Sequence, residues 1–83
     1  MPKKQKRTEE EIHSFIVRDS KIRHGCSEFQ PDFTLREIGD TVANWDLGEA
    51  RNVHEWPPDC AQAFEEAVAR MRRKFDIAWP WPP

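Results

Sequence analysis

Phe33-Thr34-Leu35-Arg36-Glu37-Ile38-Gly39-Asp40-Thr41-Val42-Ala43-Asn44-Trp45-Asp46-Leu47-Gly48-Glu49-Ala50 can be read either as two strands or as a helix. Read as strands, Phe33 and Leu35 face one way and Gly39-Asp40 turns the chain. Trp45 and Leu47 then face the same interior from a second strand, with Asn44 and Asp46 outward. Read as a helix, Thr34 and Glu37 form a capping box, and Leu35, Ile38, Val42 and Trp45 make a helical stripe. Gly39 and Asp40 are poor mid-helix residues, and the Thr, Val and Trp around them favour strands. The hairpin is therefore preferred, with the helix as its alternative.

Both flanks read as helices. On the N-terminal side, Thr8-Glu9-Glu10-Glu11 is a capping box. Ile12, Phe15, Ile16 and Ile22 supply an apolar stripe, and Gly25 can adopt the left-handed conformation that ends a helix. This predicts a helix over residues 8–24. On the C-terminal side, Pro57 to Phe75 reads as one amphipathic helix. Pro58 suits the first helical position, and Asp59 meets the positive end of the macrodipole. Cys60, Phe64, Ala67, Val68, Met71 and Phe75 form its stripe. Arg70, Arg72, Arg73 and Lys74 fill the last turns, where cations are favoured. The predicted fold is α+β, a helix–strand–strand–helix domain with two helices packed on one face of a β-hairpin. It spans residues 8–79, after a disordered basic arm over 1–7 and before a Pro-rich tail over 80–83. Pro80 stops helix continuation, so Trp79 is expected to pack on the domain and Trp81 to be more exposed.

With 83 residues there is room for one domain. A chain this short buries about 60–65 % of its unfolded surface, and four Trp and five Phe add area to a small core. The net charge of −2 hides a division. Residues 1–7 carry four positive charges, whereas residues 28–59 carry eight acids against two Arg. The middle of the domain therefore repels phosphate and the arm attracts it. No apolar run is long enough for a membrane helix, and the basic N-terminus lacks the apolar segment of a secretory signal. The cytoplasm is the expected compartment. Two cysteines fit either a disulfide or two thiols.

Gly25-Cys26 after a first helix, Asn44-Trp45 in the middle, and Cys60 opening a helix that ends in Phe75-Asp76-Ile77 resemble a group of short bacterial proteins of unknown function. The resemblance covers most of residues 10–79. It implies the helix–strand–strand–helix order and brings no activity, cofactor or site.

Four constellations bear on function. The hairpin topology gathers His24, Cys26, His54 and Cys60 at one pole, but His-x-Cys followed by His-x5-Cys lacks the paired spacing of a zinc site. No metal or other cofactor is expected. Cys60 is expected to be buried, with Cys26 near it. A thiol enzyme would need an oxyanion hole and an orienting residue that cannot be assigned, so no catalytic residue is predicted. Nucleic-acid binding would use Lys3, Lys4, Lys6, Arg7, Arg70, Arg72, Arg73 and Lys74 as phosphate contacts, opposed by the acidic middle. Protein interaction would use the unpaired edges of a two-stranded sheet or the surplus aromatics Trp45, Trp56, Trp79 and Trp81, as contact or core-sealing groups. The preferred expectation is a non-enzymatic interaction module, a homodimer through the hairpin edge or aromatic surface. A nucleic-acid-associated accessory protein is the alternative.

Overall fold

In the computed structural model, which describes residues 4–79, the chain is built as β1 (Gln5–Arg7), α1 (Glu9–Lys21), β2 (Asp32–Glu37), β3 (Trp45–Arg51), a short 3-10 helix (Val53–Glu55), α2 (Pro58–Lys74) and β4 (Phe75–Ile77). The α+β class and the order of its four main elements are as the residue pattern implies. Among the described residues, no helix is long and apolar enough to cross a membrane.

The capping box is complete. The Glu11 amide donates to Thr8 Oγ1 at 3.1 Å, and the Thr8 amide donates to Glu11 Oε1 at 3.2 Å. α1 buries Ile12, Ile16 and Ser20. The Ser20 hydroxyl can be buried because it donates to the Ile16 carbonyl at 2.7 Å. α1 stops at Lys21, short of the expected residue 24, and Gly25 takes φ +86° just beyond. Ile22, read as part of the stripe, therefore falls off the helix and is 76 % exposed.

α2 begins at Pro58 and buries Cys60, Ala63, Phe64, Ala67, Val68 and Met71. It ends at Lys74, so Phe75 is not its last turn but the first residue of a strand.

β2 and β3 pair antiparallel, with Phe33 opposite Ala50 and Leu35 opposite Leu47. Two steps along β2 are matched by three along β3, which places the bulge on β3 at Gly48-Glu49. The glycine is required there: a Cβ on Gly48 would lie 2.7 Å from Thr34 Oγ1. The same hydroxyl accepts the Glu49 amide at 3.0 Å, so a side chain serves the backbone group that the bulge displaces.

Residues 1–7 are not a wholly disordered arm. Gln5–Arg7 form β1, which pairs parallel with β4, Gln5 opposite Phe75 and Arg7 opposite Ile77. The pairing extends to the Ala78 amide, which donates to the Arg7 carbonyl at 2.9 Å. β1 leads into α1 and β4 leaves α2, so their parallel pairing sets the two helices antiparallel.

Asn44 joins the two small sheets. Expected to point outward, it turns its side chain to β4. Its Nδ2 donates to the Ile77 carbonyl and its Oδ1 accepts the Ile77 amide, both at 2.9 Å. One carboxamide thus replaces a strand partner. Asn44→Ala strands both groups of Ile77 and should cost about 2 kcal/mol, from the usual penalty for unmade bonds at partly buried sites. Urea unfolding of the variant checks this, and an unchanged midpoint would refute it.

The core lies between the helices and the hairpin. Trp45 is 0 % exposed, and its indole N–H donates to the Phe75 carbonyl at 2.9 Å. Phe33, Phe64, Trp56 and Phe29 form a chain of edge-to-face rings, with centroids 4.9–5.1 Å apart.

Candidate functional site

The aromatic candidates mostly serve the fold. Trp45 is enclosed. Trp56 packs against Phe29 and Phe64. Trp79 packs on the core, and its indole N–H donates to the Asn44 carbonyl at 3.3 Å. Trp81 lies outside the described residues.

Several of the basic candidates are engaged within the chain. Lys4 Nζ donates to the Val42 carbonyl, to the Arg72 carbonyl at 2.6 Å, and to Asp76 Oδ1 at 3.5 Å. Arg7 lies 5.6 Å from the Phe75 ring centre and 3.9 Å from Glu11. Arg70 meets Asp19 at 2.7 Å. Arg72 reaches Asp40 at 2.6 Å, Asp46 at 3.9 Å and the Trp45 carbonyl at 3.0 Å. Lys6, Arg73 and Lys74 are exposed, and Lys3 lies outside the described residues.

The Arg72 hydrogen bond, followed by that of the Thr41 amide, holds the Asp40 carboxyl below its ordinary value. A depressed carboxylate stabilises the fold above the unfolded pKa of about 3.9 and loses that contribution as pH falls through the folded value. Side-chain NMR titration should therefore show Asp40 titrating below the usual carboxylate range, and Arg72→Gln should raise its midpoint. An unchanged midpoint would show that Arg72 is not the cause.

At the opposite pole Cys26 and Cys60 are joined by a disulfide, with Cα atoms 5.7 Å apart and exposures of 1 % and 2 %. The two sulfurs are bonded to each other, so they are not paired as thiolate ligands. Among the described residues, no group of three or more His, Cys, Asp or Glu is placed to hold a metal.

The outer edge of β2 remains. Asp32, Thr34 and Arg36 are exposed, while Phe33 and Leu35 are buried, so the alternation is regular through the middle of the strand. The bulge that disturbs this ladder belongs to β3. Thr34 O lies against Gly48 on β3. Carbonyls alternate along a strand, so the backbone groups of Phe33 and Leu35 turn to the other side, away from β3. There the Phe33 carbonyl meets His13 Nε2 at 3.2 Å, and the two rings stack 4.0 Å apart. α1 overhangs this edge, leaving a groove of about 440 Å³ lined by Glu9, Glu10, His13, Ser14 and the Phe33-Leu35 segment. His13 was not singled out in the sequence. It sits beside the stripe of α1, and its link to Phe33, twenty residues away, has no local signal.

No family model matches the chain, and no curated protein and no solved structure matches it.

Proposed function

We propose that this domain is a non-enzymatic interaction module that self-associates through the outer edge of β2. The observation that carries this reading is the strand β2, whose sheet is two-stranded among the described residues, with β3 on one side and the backbone groups of Phe33 and Leu35 turned to the other. Such an edge presents backbone donors and acceptors to another chain. Edge strands are usually protected by a bulge, a proline, charged side chains or a covering helix. β2 has no proline and no bulge of its own between Asp32 and Glu37, while its exposed positions carry Asp32, Arg36 and Glu37 and α1 overhangs one side of the edge. His13 covers one carbonyl, and a carbonyl has a second lone pair to offer.

Trp45, Trp56 and Trp79 then act as core-sealing groups, and the partner meets backbone rather than aromatic surface. The pairing of Arg70 and Arg72 with acids leaves the nucleic-acid alternative less support. The disulfide favours a compartment that keeps cysteines oxidised over the cytoplasm. Light scattering across a concentration series tests self-association. The expected mass rises from 9.8 kDa towards twice that value. A constant monomer mass to millimolar concentration would overturn the reading.

A further inference from the structure

The five residues Asp32-Phe33-Thr34-Leu35-Arg36 read as acid, apolar, hydroxyl, apolar, base. This order is self-complementary in an antiparallel pair. We infer that two copies join their β2 strands about a two-fold axis at Thr34, with Asp32 of each opposite Arg36 of the other. The inference rests on the self-association reading and adds its register.

Three features select this register. First, pairing about Thr34 sets Phe33 opposite Leu35 on the helix-covered face, so the buried side of the hairpin continues into the second copy. A centre one residue away, at Phe33 or at Leu35, keeps the apolar face but sets Asp32 or Arg36 opposite Thr34 and so loses the match of acid to base. Second, it makes two equivalent ion pairs on the outer face, where Asp32 and Arg36 are both exposed. Within its own chain Asp32 meets Arg51 at 3.9 Å, a long contact between two well-exposed groups. Third, the backbone groups that face outward are those of Phe33 and Leu35. In this register they are directly opposite each other and can exchange N–H···O bonds, while Thr34 faces its own copy across the axis.

α1 agrees with the same axis. Its groove-lining face begins with Glu9 and Glu10, and a second shallow depression further along it is lined by Val17, Arg18 and Lys21. A two-fold axis beside the helix runs its mate antiparallel. The acidic start of each α1 then approaches the basic end of the other. The groove beside β2 closes in the process. The result is a four-stranded sheet, β3-β2-β2-β3, carrying helices on one face.

Charge reversal tests the register by sedimentation equilibrium of the full chain. Asp32→Arg and Arg36→Asp each replace two attractive pairs per dimer by two repulsive ones, so each should weaken dimerisation by about tenfold or more. The double variant Asp32→Arg/Arg36→Asp restores two attractive pairs and should return the dissociation constant to near the parent value. The neutral Asp32→Asn should weaken it less than Asp32→Arg, and circular dichroism confirms that each variant is folded. Rescue by the double variant supports the register. A parent dimer indifferent to both single reversals, or one that the double variant fails to rescue, overturns the register while leaving self-association standing. A parent chain that stays monomeric overturns both.

Discussion

Reducing the Cys26–Cys60 disulfide should remove about 3–4 kcal/mol of stability. The bridge links residues 34 apart, and a closed loop of that length restricts the unfolded chain by about this amount. An 83-residue domain has only about 4–12 kcal/mol in total. At roughly 4–8 °C per kcal/mol for a domain of this size, the melting temperature should fall by about 12–32 °C. The bridge ties the loop after α1 to the first turn of α2, at the pole opposite the β1–β4 pair. β1 and β4 hold the helix pair together at one end and the disulfide at the other. Cys26→Ser/Cys60→Ser should behave as the reduced protein does. A thermal melt unchanged by reductant, with free thiols verified, would show that the bridge adds nothing to the fold.

Trp45→Ala should be the most damaging single substitution, at about 3–5 kcal/mol by the usual cost of removing a large core ring. Trp45 is fully enclosed and also bonded: its indole N–H satisfies the Phe75 carbonyl at the start of β4. Its own carbonyl accepts Arg72 Nε at 3.0 Å. The substitution therefore empties the core and frees the junction between α2 and β4. Trp45→Phe keeps most of the volume but leaves Phe75 O without its donor, so it should cost less than Trp45→Ala and still be measurable. Urea unfolding separates the two. Equal and small effects would place the centre of the core elsewhere.

Much of the fold could be read from local chemistry. The Thr8–Glu11 box, Gly25 at a left-handed φ and Pro58 at a helix start depend on near neighbours, so the sequence carries them. The hairpin could be preferred because Gly39 and Asp40 oppose the competing helix. The proximity of Cys26 and Cys60 followed from that topology. The β1–β4 ladder could not be read. It pairs residues about 70 apart in the chain, each strand has three residues, and neither is apolar enough to announce itself. Asn44 escaped for a related reason: as a polar residue beside Trp45 it fits an outward position, and its partner Ile77 lies 33 residues away. The basic candidates illustrate the same limit. Arg72 and Lys4 read as free cations, yet their partners Asp40 and Asp76 come from distant elements. The candidate site was half visible. The unpaired hairpin edge was expected, but a regular β2 with the bulge confined to β3 required the observed register.

Amide hydrogen exchange at Phe33 and Leu35, followed at low and high protein concentration, tests the edge most directly. These two amides face away from β3. Pairing with a second copy should slow their exchange as concentration rises, while the amides of β2 that already face β3 change little. Exchange at Phe33 and Leu35 that is the same at every concentration would contradict association through this edge.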